Sequence, residues 1–132
     1  MNDLTVYIGW DSREIEAFDV CEYSLRKHWK ANPTSLRVKA LKQHELRSDG
    51  YYYRGVDKKA ATEFSLTRFL VPALNQFQGY AIFVDCDFLF LDDIKSVFKE
   101  IDPNHAVSVV KHDYTPTEEK KMNGACCGRG SQ

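Results

Sequence analysis

Residues 80–91, Tyr-Ala-Ile-Phe-Val-Asp-Cys-Asp-Phe-Leu-Phe-Leu, place two carboxylates one residue apart inside an otherwise apolar run. Tyr80 to Val84 has the unbroken aromatic and β-branched composition of a strand buried on both faces, as in a parallel sheet flanked by helices. Two unpaired carboxylates inside such a sheet would be strongly destabilising. The strand is therefore expected to end at Asp85, with both acids at its carboxyl edge, where open α/β sheets place their ligands. In extended backbone, residues i and i+2 point to the same side, so Asp85 and Asp87 should converge while Cys86 faces away. Converging carboxylate oxygens suit Mn²⁺ or Mg²⁺, which take one or two protein carboxylates and fill their remaining positions with water and phosphate oxygens. An Asp-x-Asp triplet also arises readily by chance. The alternative is a strand-end turn whose acids cap a helix beginning near Asp92.

The chain has 132 residues and a formal net charge of −1. That length predicts one domain with a sizeable core, short for a complete α/β enzyme. Basic and acidic residues are interspersed, so neither a nucleic-acid footprint nor a polybasic membrane patch is visible. The apolar runs are strand-length and broken by acids, which argues against a transmembrane helix. The start, Met-Asn-Asp-Leu-Thr-Val, lacks a basic region followed by a long apolar core, and the expectation is a cytoplasmic protein. Cys21, Cys86, Cys126 and Cys127 form neither a C-x-x-C pair nor a disulfide framework, which predicts reduced, unligated thiols.

Leu4 to Gly9 reads as a first strand closed by a turn-permitting glycine. Asp11 and Glu14 have capping-box spacing, and Ile15, Phe18, Cys21 or Glu22, Leu25 and Trp29 fall near one face of a helix ending around Lys30. Asn32 to Ser35 is a turn, and Leu36, Val38 and Ala40 alternate with Arg37 and Lys39 as a second strand would. Residues 42–59 read as a loop with at most a short helix. In it Tyr51-Tyr52-Tyr53-Arg54 is either a stacking surface for a base or sugar, or an aromatic lid over the core. Thr62 to Phe77 predicts a helix with Leu66, Phe69, Leu70, Ala73, Leu74 and Phe77 on its apolar face, kinked or split by Pro72. After the central strand, Asp92-Asp93 should start a short helix through Glu100. Ala106 to Val110 should form a further strand ending in Lys111-His112-Asp113. The organisation expected is an α/β domain over 1–113 and an irregular, glycine-rich tail over 114–132.

A first strand running into Gly-Trp-Asp, a helix carrying Ser-Leu-Thr-Arg-Phe-Leu-Val-Pro, and then Phe-Val-Asp-Cys-Asp-Phe-Leu-Phe-Leu-Asp-Asp-Ile occur in a recognisable order. The run resembles the nucleotide-binding half of GT-A fold glycosyltransferases, most closely the family 8 type. The likeness covers most of residues 4–113 and is strongest over 62–94. It implies a mostly parallel sheet flanked by helices, with Asp85 and Asp87 holding Mn²⁺ or Mg²⁺ against the diphosphate of a nucleotide sugar, UDP-linked in that family. It further implies Arg68 near the donor phosphates or sugar, and Tyr7, Gly9 and Asp11 as the nucleoside-binding edge. His112 is a weaker candidate for a substrate contact. Each has a structural alternative: Arg68 an exposed helix residue, Asp11 a helix cap, His112 a solvated side chain. Relatives of this type continue further, with an acceptor-binding region and a later histidine that completes the metal shell. The resemblance therefore implies a chain lacking its C-terminal part, with the acceptor unspecified.

The leading expectation is thus a metal-dependent glycosyltransferase, or the donor-binding portion of one. An inactive nucleotide-sugar-binding domain shares the same site and would bind without transfer. A haloacid-dehalogenase-like phosphatase also carries Asp-x-Asp after an apolar strand, the first Asp attacking phosphorus. There the motif ordinarily follows the first strand, whereas here a full β-α-β unit precedes it.

Overall fold

The computed structural model describes residues 3–115. Three parallel strands, β1 (Leu4–Gly9), β2 (Leu36–Leu41) and β3 (Ala81–Val84), form an open sheet in the order β2-β1-β3. Leu4 stands opposite Leu36 on one side, and Thr5 opposite Ala81 on the other. Every residue of β1 is buried, as expected of the strand with neighbours on both sides. Its alternation divides the core. Leu4, Val6 and Ile8 pack with Phe18, Cys21 and Leu25 of helix α1 (Ile15–His28), whereas Tyr7 packs with Leu41, Leu46, Tyr52 and Val71 on the opposite face. Because the chain passes from β1 to β2 in one direction and then back across β1 to β3, its two crossovers cover opposite faces of the sheet.

Helix α1 buries Phe18, Cys21 and Leu25 of the expected stripe, whereas Ile15 at its start is exposed and Trp29 falls just past its end. It carries Arg26, Lys27 and His28 in its last turn, where positive charge is favoured. Its start differs from the expected capping box. Glu14 occupies the N-cap without a side-chain capping bond, and the Asp11 carboxylate is committed elsewhere. In β2, Arg37 and Lys39 face solvent while Leu36 and Leu41 are buried. A short helix α2 (Gln43–Ser48) follows, and Tyr52 folds back as a lid, only 6% exposed, beneath the Arg47 guanidinium at 4.7 Å. Its neighbours Tyr51 and Tyr53 point outward.

The helix expected over 62–77 is instead a series of turns. A 3₁₀ segment at Thr67–Leu70 passes into a single α-turn, α3 (Val71–Leu74), with Pro72 in its first turn, where a missing N–H costs nothing. The tighter winding rotates the apolar face. Phe64, Thr67 and Val71 are buried, while Phe69 and Phe77 are 74% and 81% exposed. Thr67 Oγ1 is buried without a hydrogen-bond partner, a local cost of about 1–3 kcal/mol. α3 ends in a Schellman arrangement: Phe77 N–H donates to Pro72 O, and Gln76 N–H to Ala73 O. This holds Gln76 and Phe77 at φ values of 56° and 54°, where a side chain is disfavoured. Gln76→Gly should therefore stabilise the fold by about 0.5–1 kcal/mol, read as a higher urea midpoint; a lower midpoint would contradict the strain.

β3 ends just before Asp85, close to where expected, and begins one residue after Tyr80, but only Val84 is buried; Ala81, Ile82 and Phe83 are partly exposed. The sequence predicted burial on both faces. Among the described residues β3 is instead an outer strand, so the cover a second neighbour would bring is absent. Beyond it, the expected short helix forms as a 3₁₀ helix at Ile94–Lys99, with the Asp93 side chain accepting from Lys95 N–H. Asp92 pairs with Lys30 at 2.7 Å. The strand expected at Ala106 to Val110 is not formed, and Val107, Val109 and Val110 are exposed. Alternating valines form a strand only where they meet a neighbouring edge, and among the described residues this segment meets none. The tail expected at 114–132 lies outside the described residues from 116 onward. Among the described residues no helix is long and apolar enough to cross a membrane.

Candidate functional site at the carboxyl edge of the sheet

The order β2-β1-β3 makes the carboxyl ends of β1 and β3 a topological switch point, the place where open α/β sheets leave a crevice for ligands. On the β3 side lies the turn Asp85-Cys86-Asp87-Phe88, closed by Phe88 N–H to Asp85 O at 3.4 Å. The chain turns here rather than running extended, so the two acids differ in setting. Asp85 is partly buried and Asp87 is exposed, while Cys86 faces away into the core as expected, 1% exposed. The Cys86 thiol donates to Glu14 Oε2 at 3.3 Å. Burial pushes the Asp85 carboxyl above its ordinary value; Arg68 opposes the shift, and the charges of Asp87 and Glu14 add to it. Burial and the Glu14 hydrogen bond push the Cys86 thiol up to about 12, so it stays protonated as a donor.

Arg68 comes from the 3₁₀ segment on the sheet's other face. Its guanidinium lies over the rings of Phe64 (5.6 Å) and Phe83 (5.3 Å), with Nη1 3.7 Å from Asp85 Oδ1. At that length the contact is an ion pair rather than a hydrogen bond. Both side chains are more than a third exposed, so the pair contributes little to stability. It does leave a cation beside the acidic turn, on a side chain steadied by two aromatic faces.

On the β1 side the expected nucleoside edge is closed. Tyr7 is 1% exposed, its hydroxyl directed at Asn75 Oδ1 (3.4 Å). Gly9 lies directly beneath Phe64: a Cβ there would stand 2.6 Å from the ring. Asp11 is fully buried and held by four hydrogen bonds, from Arg13 N, Nε and Nη2 and from Glu63 N. The Arg13 hydrogen bonds hold its carboxyl at about 2 despite the burial. Asp11 is therefore neither a helix cap nor an exposed ligand contact. It clamps the loop carrying Phe64 onto the end of β1. His112 lies exposed beyond the last helical segment, and no hydrogen bond joins it to the acidic turn.

The structure thus joins Asp85 with Arg68 and keeps Asp87 on the same turn, but it withdraws Tyr7, Gly9 and Asp11 from the surface. Sequence reading passed over Arg13 and Phe64, and it gave Glu14 only a capping role. Only Arg13 had a local signal, an arginine two residues after an aspartate in turn context. A cavity of about 230 Å³ opens away from the acid pair, lined in part by Arg13, Gln43, Tyr52, Lys58 and Glu63.

The donor chemistry fits a hard divalent cation in the mode that uses two protein carboxylates and leaves the other positions to water and phosphate. Asp85 is under-compensated where it stands, and a cation would relieve it. No group of three or more potential ligands occurs among the described residues, so no closed, all-protein cage is formed there.

No protein-family model and no solved structure matches the chain. Over 120 residues, 91% of its length, the chain is 43% identical to Protein CDI of Arabidopsis thaliana. The aligned part is 45% of that relative, so the chain spans less than half the relative's length.

Proposed function

We propose that the chain is the donor-binding portion of a metal-dependent glycosyltransferase of GT-A type, family 8-like. It would bind a nucleotide diphosphate sugar, UDP-linked, through Mn²⁺ or Mg²⁺ at Asp85 and Asp87. The observation that carries this reading is the acidic turn standing at the carboxyl end of β3, beside β1, at the switch point of the described strands. When bound, the cation supplies Lewis-acid neutralisation of charge on the departing diphosphate. Asp85 and Asp87 hold it; Arg68, already poised beside Asp85, offers a guanidinium for phosphate oxygens. Its ring supports keep that group from collapsing onto solvent. No side chain at the turn is placed as a nucleophile, and the reading assigns no catalytic base. The acceptor would be met by polypeptide that this chain's match to its longer relative does not include. The phosphatase alternative expects its acid pair after the first strand, whereas β1 ends at Gly9 and the acid pair follows β3.

The test is a calorimetric panel of UDP, GDP and ADP, each with Mn²⁺ and with EDTA, together with an assay for UDP-sugar hydrolysis. UDP should bind with Mn²⁺ and lose most of its affinity in EDTA. Binding without hydrolysis or transfer identifies a donor-binding unit that does not turn over alone. Absence of any Mn²⁺-dependent nucleotide binding would overturn the proposal.

A further inference from the structure

The acid-bearing segment is held from behind by one helix at three successive points. Cys21 Sγ of α1 approaches Asp85 O at 4.0 Å, the Cys86 thiol donates to Glu14 Oε2 at 3.3 Å, and Phe90 N–H donates to Ser24 Oγ at 3.0 Å. The middle contact acts between the two acids. Cys86 is the single residue separating Asp85 from Asp87, so fixing its side chain fixes the peptide planes on either side and the directions in which both carboxylates leave the backbone.

Glu14 is unusual for its place. N-cap positions favour short side chains that fold back onto the helix's own N–H groups, and glutamate is not among them. Here the Glu14 side chain makes no capping bond. Its backbone is already fixed, N–H to Asp11 O at 3.0 Å and O to Phe18 N–H at 3.2 Å. The side chain is left free to reach Cys86, 72 residues away in sequence.

We infer that Glu14 is a positioning residue for the acid pair, orienting Asp85 and Asp87 through its hydrogen bond with the buried Cys86 thiol. The inference rests on the donor-binding reading for its functional consequence, and on the hydrogen bond alone for its structural one. Outer partners of metal ligands commonly govern affinity by about 10- to 100-fold, and Glu14 and Cys86 would act in that way without touching the cation.

The two claims separate experimentally in the full 132-residue chain. The first measurement is the backbone ¹⁵N heteronuclear NOE of residues 85–88 without metal, in wild type, Glu14→Ala, Glu14→Gln, Cys86→Ala and Cys86→Ser. Both alanine variants should lower these values. Glu14→Gln, which keeps an acceptor oxygen, and Cys86→Ser, which keeps a donor, should restore them. Glu14 is only partly buried, so Glu14→Ala gives a folded comparison if Cys86→Ala does not fold. Unchanged values in Glu14→Ala would overturn the inference, whatever the chain binds.

The second measurement is the ratio of UDP affinity with Mn²⁺ to that with EDTA, which should fall about tenfold in Glu14→Ala and recover in Glu14→Gln. A wild-type chain with no Mn²⁺-dependent increment would overturn the donor-binding reading and leave the NOE comparison to decide the positioning role. A wild-type increment that Glu14→Ala retains within about twofold would overturn the positioning role and leave the donor-binding reading standing.

Discussion

Under the donor-binding proposal, Asp87→Asn is expected to remove the Mn²⁺-dependent part of UDP affinity, by about 100-fold or more, since losing a direct ligand should cost at least as much as losing an outer partner. The amide keeps the shape of the side chain but surrenders the negative charge that attracts a hard cation. Asp87 is exposed, so folding stability should move by no more than about 0.5 kcal/mol. Asp85→Asn should lose the same increment with a different effect on the fold. Burial and the charges of Asp87 and Glu14 disfavour ionised Asp85, and its pair with Arg68 only partly offsets this. A carboxyl whose folded value lies above its unfolded one destabilises the fold once ionised, so the neutral amide should leave stability at neutral pH equal or higher. A residue that costs the fold something and is replaced without structural loss is what a binding site requires. Paired titrations of UDP with Mn²⁺ and with EDTA, beside urea unfolding of each variant, measure both quantities. Retention of the wild-type increment in Asp87→Asn would remove the metal site.

Asp11→Ala should be strongly destabilising, by about 2–4 kcal/mol. Its carboxylate is fully buried and accepts from both the backbone and the guanidinium of Arg13, and from Glu63 N–H. Deleting it strands those two backbone donors, although Arg13, 54% exposed, can return to solvent. The same residue makes stability depend on pH. Its carboxyl lies at about 2 in the fold against 3.8 for the ordinary group. The folded value is depressed, so the stabilisation is complete above the unfolded value and is lost as pH falls through about 2. The amount at stake is about 2 kcal/mol. Urea midpoints measured from pH 7 down to pH 2 should therefore fall for the wild type and stay flatter for Asp11→Ala. A variant within about 1 kcal/mol of wild type would show that the clamp is incidental.

The sheet was legible because its strands announce themselves by composition. Leu4 to Gly9, Leu36 to Leu41 and Ala81 to Val84 all form where apolar or alternating residues predict, and the acid pair falls at the end of the third. Helical periodicity over 62–77 misled because Leu66, Phe69 and Leu70 fit a 3.6-residue repeat, whereas the chain winds at three residues per turn there and buries Phe64 and Thr67 instead. The valines of 106–110 alternate correctly, yet strand formation depends on a neighbour that local sequence does not reveal. Asp11 illustrates a different limit. Its spacing from Glu14 matches a capping box, and nothing local shows that the Glu63 N–H will arrive to donate to it. Tyr7 and Gly9 sit at the correct end of the correct strand, but whether that end is open depends on where Phe64 comes to rest.

Among the described residues β2 and β3 are both outer strands about a central β1, and β3 is the less fully paired, over four residues against six for β2. Amide hydrogens of β1 are shielded by partners to left and right, so deuterium should enter them only on global unfolding. Those of β3 that point outward have no such shelter, and a local fluctuation suffices to trade them with solvent. The carboxylates therefore follow directly on the shorter of the two outer strands, and a ligand gripping them would act as a brake on that motion.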